Sequence, residues 1–382
     1  MLELRPRGTP SRFFAYASPL IAIALTLALC ALLFSALGRD PVRGLSLFFV
    51  EPFRSVRALG ELAIKATPLL VIGLGLALSF RANVWNIGAE GQFILGAICG
   101  GRVALMATAE SSSLIVIPIL LAGAAGGMAW ASLTACLRDR FGTSEILVSL
   151  MLVYVAEQAL SYLVFGPWRD PAGHNFPQTS LFADPASVPR LVSGSRANIG
   201  LLLGLGLAAA FWVLLRRSYA GYRLEVGGLS PAAARYAGFS ARASIWIACL
   251  TSGGMAGLAG ALEVAGPMGQ LTPHVSMGYG FAAIIVAFVG RLSPIGVVLA
   301  SLLMSTFYIG GELAQSRMGL PKSLTLVFQG VLLFALLACD TFIDGRLRWV
   351  RRPARPIEPA APGPPHADDE ASLVAGDERG RY

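Results

Sequence analysis

Residues 13–37, 199–215 and 323–339 carry no charged side chain over lengths close to what a helix needs to cross the hydrocarbon of a bilayer. Runs of this kind leave few folds open. A soluble domain breaks its apolar residues into short patches, and about a quarter of its residues are charged. Here 14% of 382 residues are charged, 55% are hydrophobic, and the mean hydropathy is +0.65. The chain is therefore expected to be an all-α, polytopic membrane helix bundle in contact with membrane lipid.

The net charge of +8 raises the question of nucleic acid. Most Arg residues, however, lie between apolar runs and in the two tails, without the interleaved aromatics that track a phosphate backbone. Nucleic-acid binding is excluded on this ground, and the positive charge reads as topology information. Interruptions in the apolar pattern give about ten transmembrane helices, at 13–37, 60–80, 90–109, 114–137, 144–165, 197–215, 243–263, 278–290, 294–312 and 323–341. An even count puts both tails on one side. Arg138, Arg140, Arg216, Arg217, Arg223, Arg235, Arg242 and Arg291 favour the cytoplasm for that side, although Arg39, Arg43, Arg54 and Arg57 run against the bias. Residues 1–12 are expected to be a cytoplasmic tail and 13–341 the transmembrane domain. Within it, 166–196 forms an external loop and 216–242 a cytoplasmic one. Residues 342–382 are expected to be a largely disordered cytoplasmic tail. Arg5, Arg7 and Arg12 before an apolar stretch resemble a signal peptide. The stretch is too long and lacks a cleavage site before Gly38, so it reads as an uncleaved first helix.

Three segments carry polar chemistry. In Arg81-Ala82-Asn83-Val84-Trp85-Asn86-Ile87-Gly88-Ala89-Glu90-Gly91-Gln92, an amide, glycines and a carboxylate interrupt two apolar runs. The segment is either a turn between spans or a broken, re-entrant element on a transport path, with Glu90 at the start of the next helix where the dipole favours it. In 216–242, Ser230 offers an N-cap, Pro231 a first helical residue, and Gly238 a terminator. This is a short helix that either connects two spans or docks a partner. Glu157, Gln158 and Gln329 lie deep in apolar runs. An ionised carboxylate at the bilayer centre costs about 2.5–3.5 kcal/mol, so Glu157 is expected to face the bundle interior or water. Its alternative role is an interhelical hydrogen bond in the protonated form. Arg102 is expected to reach the interface or pair internally, and Glu263 and Glu312 to be solvated at helix ends. Gly96/Gly100, Gly123/Gly127, Gly200/Gly204 and Gly253/Gly257 are small residues four apart, suited to close helix contact in lipid.

The stretch Asn86-Ile87-Gly88-Ala89-Glu90-Gly91-Gln92-Phe93 resembles a signature of the nucleoside and simple-sugar ABC importer permeases. Ala233-Ala234-xxx-Gly238 resembles their coupling loop, and residues 252–261 (SGGMAGLAGA) are similar to the same proteins, with the motifs in family order over about residues 60–340. The Glu that opens the coupling motif in some importers is absent. The resemblance implies an inner-membrane permease subunit moving a nucleoside or simple sugar. Its implied partners are a separate ABC ATPase that holds ATP and Mg, a second permease chain, identical or homologous, and a periplasmic or lipid-anchored substrate-binding protein. On the same footing, Asn86, Glu90, Gln92, Glu157, Gln158 and Gln329 would border the substrate pathway. Pro231, Ala233, Ala234, Arg235, Tyr236 and Gly238 would contact the ATPase. No cofactor is expected in this chain. It has no Gly-xxxx-Gly-Lys-Ser/Thr loop, and its three His and five Cys show neither triad nor metal spacing, so an enzyme is not expected. The alternative function is a proton-coupled secondary transporter using Glu157.

Overall fold

The computed structural model describes residues 2–6, 12–191, 194–321 and 323–349. Strand β1 (Leu2–Pro6) pairs antiparallel with β2 (Gly345–Trp349), Leu2 opposite Trp349 and Pro6 opposite Gly345. Between them in sequence run thirteen described helices. They are α1 (Arg12–Ala36), α2 (Pro41–Phe49), α3 (Val56–Arg81), α4 (Ala89–Leu105), α5 (Val116–Phe141), α6 (Glu145–Phe165), α7 (Gly200–Arg217), α8 (Tyr219–Leu229), α9 (Pro231–Tyr236), α10 (Ala241–Glu263), α11 (Tyr279–Val289), α12 (Pro294–Met318) and α13 (Ser323–Asp344). Each of the ten apolar runs coincides with a helix to within a few residues. Among the described residues, six helical stretches, containing α3, α5, α6, α7, α10 and α12, are long and apolar enough to cross a bilayer.

Three features go beyond the pattern of apolar runs. The segment 39–57 is not simple loop: Asp40 caps α2 by accepting from Val42 N–H at 2.9 Å, with Pro41 as the first helical residue. Of the two tails, residues 2–6 and 345–349 pair as β1 and β2; of the segment expected to be largely disordered, 342–382, residues 350–382 lie outside the described residues. Finally, α11 has eleven residues, about 16 Å of helix, which is half a hydrocarbon thickness. It starts inside the bundle, and residues 269–278 lead to it.

Helix α3 is the centre, apolar on every side and almost wholly buried. Against it pack α7, α10, α11 and α12, while α4, α5 and α10 form a tight trio beside it. Glycine decides how close that trio comes. A Cβ at Gly96 would overlap the backbone of Gly257, one at Gly127 the carbonyl of Gly253, and one at Gly123 the side chain of Ala261. Two of the four small-residue pairs, Gly123/Gly127 and Gly253/Gly257, thus face each other across α5 and α10, and Gly96 of a third meets Gly257. On the periphery, α5, α6 and α7 turn Ile117, Leu121, Met151, Leu202 and Val213 outward, a surface suited to lipid rather than water.

Gly257→Leu is expected to prevent accumulation of the folded chain, because backbone rather than a flexible side chain occupies the space. Gly206→Ala on α7, with nothing within 4 Å of the new methyl, should accumulate normally. Size-exclusion profiles of detergent extracts separate the two outcomes.

Candidate functional site

The polar interruption after α3 is a pinned, irregular link. Asn83 takes a left-handed φ of 54°, and the Ser79 hydroxyl donates to the Val84 carbonyl at 2.7 Å. The buried Asn86 side chain then organises the start of α4. Its Nδ2 donates to Gln92 Oε1 and to Ser252 Oγ on α10, both at 2.8 Å. Its Oδ1 accepts from Gln92 Nε2 at 3.0 Å and from Gly88 N–H at 3.1 Å. Two carboxamides therefore satisfy each other and tie α4 to α10. Gly88 and Gly91 lie against Ser149 and Val153 of α6, with no room for a side chain.

Glu90, in the first turn of α4, is 3% exposed. Its Oε2 accepts the Gly280 N–H at 2.6 Å. Helix α11 has no side-chain cap of its own; Gly278 precedes it with φ 82°. Glu90 supplies that cap from across the bundle, so one carboxylate stands at two helix N-termini, each of which favours negative charge. A Cβ at Gly280 would strike the Glu90 backbone, which makes the contact as close as a peptide allows.

The remaining deep polar residues divide. Helix α6 buries Ser149, Val153, Ala156, Leu160 and Val164 as one stripe, which leaves Tyr154, Glu157, Gln158 and Tyr162 exposed on its other side. Glu157, expected to face the bundle interior or water, is exposed on this chain, because the small and branched residues of α6 claim the packed face. Gln329 on α13 is buried, and its Nε2 has no hydrogen-bond partner among the described residues. Sequence reasoning missed a second polar group. Lys65 of α3, 9% exposed, pairs with Glu312 of α12 at 3.0 Å and lies 6.0 Å from the centre of the Tyr279 ring, which packs against Tyr308 at 5.4 Å. Glu263 is buried, not solvated: a π-helical turn at Val264–Met268 continues α10 past it and folds Pro267 over a small cavity lined also by Thr67 and Asn198. Glu312 is half exposed. Arg102 lies outward over the Trp168 ring at 5.8 Å.

At the other end of α3, the Ser230 hydroxyl caps α9 through Ala233 N–H at 3.3 Å, and Pro231 is the first helical residue. Gly238, at φ 76°, turns the chain so that Phe239 N–H reaches the Ala234 carbonyl at 2.8 Å. Only Ala234 faces inward. Pro231, Ala233, Arg235, Tyr236 and Gly238 are exposed, Tyr236 almost completely. Beneath the helix, a cavity of about 430 Å³ separates Pro231, Ala234 and Arg235 from Ala82, Asn83 and Val84, the residues leading to Asn86. A Cβ on Gly228 at the end of α8 would overlap the Arg81 carbonyl.

The long apolar helices give the chain the architecture of a multi-pass membrane protein. A model of the family described as "Branched-chain amino acid transport system / permease component" matches residues 58–337, and the chain belongs to this family. The glucose ABC transporter permease protein TsgB13 of Haloferax volcanii is 34% identical over 351 residues, covering 89% of this chain and 92% of that protein. The guanosine ABC transporter permease protein NupP of Bacillus subtilis is 30% identical, covering 86% and 96%. The nucleoside ABC transporter permease protein NupB of Lactococcus lactis is 28% identical, covering 83% and 89%. Within the family, the chain therefore groups with the ABC permeases of nucleoside and sugar importers.

Asn86→Leu is expected to lower the melting temperature of the purified protein, since Gln92, Ser252 and the Gly88 N–H all lose a partner, at roughly 1–3 kcal/mol for each buried group left unpaired. Glu90→Gln, which keeps an acceptor near Gly280, should cost less, about 0.3–2 kcal/mol for the lost charge at each helix terminus. Thermal unfolding in detergent orders the two.

Proposed function

We propose that this chain is the membrane-spanning permease subunit of an ABC importer that carries a nucleoside or simple sugar across the bacterial inner membrane. ATP and Mg act on a separate ATPase chain, and a periplasmic or lipid-anchored binding protein delivers substrate. The chain crosses ten times, by α1, α3, α4, α5, α6, α7, α10, α11 with its approach, α12 and α13. The antiparallel pairing of β1 with β2 supports an even count, since it holds residues 2–6 and 345–349, on either side of the spanning region, together. Both ends are cytoplasmic, 166–196 is external, and 216–242 is the cytoplasmic coupling loop.

The observation that carries this reading is α9. A six-residue helix, held by its caps and seated on Ala234, presents Arg235 and Tyr236 outward and overlies the 82–84 segment. Pro231, Ala233, Ala234, Arg235, Tyr236 and Gly238 form a handle for the ATPase. Displacement of the handle reaches Asn86 and Glu90 through Arg81–Val84.

The outward face of α6 supports a path on that side of the chain. Glu157 in lipid would cost about 2.5–3.5 kcal/mol, and Gln158, Tyr154 and Tyr162 beside it add polar atoms. A second permease chain facing this side, with water and substrate between, removes that cost. Glu157 and Gln158 then meet substrate hydroxyls and amides. Asn86, Glu90 and Gln92 frame the path from behind α6, and Gln329 borders it on α13. A proton-driven carrier built on Glu157 is not favoured, because the relatives matched over most of the chain are ABC permeases.

Arg235→Glu and Gly238→Glu should abolish uptake in cells carrying the whole importer, with the binding protein's substrate affinity unchanged. A cysteine placed at Tyr236 should react with membrane-impermeant maleimide only from the cytoplasmic side; labelling from outside would overturn the handle. Glu157→Leu should assemble with its partners and transport poorly, and normal uptake by that variant would remove Glu157 from the path.

A further inference from the structure

We infer that the outer part of this chain holds a subsite that reads a vicinal diol, built on Glu312 with Lys65 behind it. This rests on the proposed transport function and names the chemistry that a glucose carrier and a guanosine carrier would share, a ring bearing adjacent hydroxyls.

A cavity of about 330 Å³ lies between α12, α13 and the residues that lead to α11, lined by Met277, Tyr308, Glu312, Ser323, Thr325 and Leu326. That volume falls at the lower end of small-molecule sites, roughly 300–1,000 Å³. Lys65 Nζ stands immediately behind this wall, 3.0 Å from Glu312 Oε1 and 3.6 Å from Met277 Sδ. An ammonium group has three N–H donors, and a thioether is a weak acceptor. Lys65 therefore has donor capacity that Glu312 alone does not use, at a position where it is itself 9% exposed. Close by, the buried Tyr279 hydroxyl has no partner among the described residues, and Tyr308 donates to the Met277 carbonyl at a long 3.3 Å.

An ammonium beside a half-exposed carboxylate matches two adjacent hydroxyls. The two hydroxyls donate to the two oxygens of the Glu312 carboxylate, and Lys65 behind it keeps that carboxylate paired, so the ion pair survives when the ligand enters. A bare cation or anion would compete with one member of the pair. Ser323 and Thr325 offer further hydroxyls, while Met277 and Leu326 provide apolar walls for the C–H face of a ring. The carbon skeleton beyond the diol is left open, which suits relatives that carry a hexose in one case and a nucleoside in another.

The test uses the complete importer in nanodiscs, with the five native cysteines replaced and Leu326→Cys introduced. Adenosine, D-glucose and 2′,3′-dideoxyadenosine are the probes, and the rate of maleimide labelling is read. Adenosine or glucose is expected to slow labelling, and dideoxyadenosine, which lacks the diol, to leave it unchanged; whichever of the first two protects identifies the ring. Glu312→Gln should raise the protecting concentration about tenfold, the effect of one lost charge-assisted hydrogen bond. Tyr308→Phe keeps the Lys65–Glu312 pair and should raise it less. Equal protection by dideoxyadenosine overturns the diol reading. ATP-driven uptake of adenosine or glucose without protection by any probe overturns the subsite and leaves the transport function standing. Protection without such uptake supports the subsite and counts against the transport reading.

Discussion

The carboxylate of Glu90 bonded to the Gly280 N–H is the contact on which the interior depends. Two helices, α4 and α11, begin inside the bundle, where exposed backbone donors find no water. A helix start at that depth needs an acceptor, and its dipole favours a negative one. The chain supplies both from one side chain. The requirement then spreads outward: Gly280 must lack a Cβ for the two starts to touch, and Gly278 must hold a left-handed φ for residues 269–278 to turn into α11. Tyr279 follows directly, and through its ring the positions of Phe93, Tyr308 and Lys65 are tied to the same junction.

Around this junction, rigidity comes from absence of side chain rather than from its bulk. Lipid gives no hydrophobic drive to bring helices together, so dispersion and close backbone approach must do it. Gly96, Gly123, Gly127, Gly253 and Gly257 let α4, α5 and α10 meet at backbone distance. The Asn86 carboxamide adds a polar clasp between α4 and α10 through Gln92 and Ser252. Packing and hydrogen bonding thus reinforce the same three-helix unit.

Much of this is legible in the sequence because the signals are local. The runs 60–80 and 144–165 correspond to Val56–Arg81 and Glu145–Phe165, since length, hydropathy and flanking charge are set residue by residue. The Ser230 cap, Pro231 start and Gly238 stop are equally readable, being chemistry of neighbouring residues. Asp40-Pro41 carries the same kind of signal for α2, but a pattern of apolar spans does not register it, since the segment is too short to span. Side-chain destinations are another matter. Nothing local tells that Gln92 turns back to Asn86, that Glu90 reaches 190 residues ahead to Gly280, or that Glu263 is covered by its own π-helical turn. Glu157 illustrates the limit best. Hydropathy gives its depth, but its outward direction follows from which stripe of α6 fits against Gly88 and Gly91.

That direction bears on how a push at α9 would travel. If α9 is the handle, force enters at Arg81–Val84 and meets Asn86, which is bonded to both α4 and α10. The glycine-packed trio has no slack for shear, because sliding by one residue would drive a Cβ into backbone. It must therefore move as a body, and the displacement has to be absorbed where contacts are made by flexible side chains. Helix α6 is not such a place: Gly88 and Gly91 meet Ser149 and Val153 at backbone distance, so α6 moves with the trio and carries its open side along. In the proposed pair of permease chains, the face bearing Glu157 and Gln158 would then be the one whose spacing from the second chain changes most when the handle moves, as a gated path between them requires.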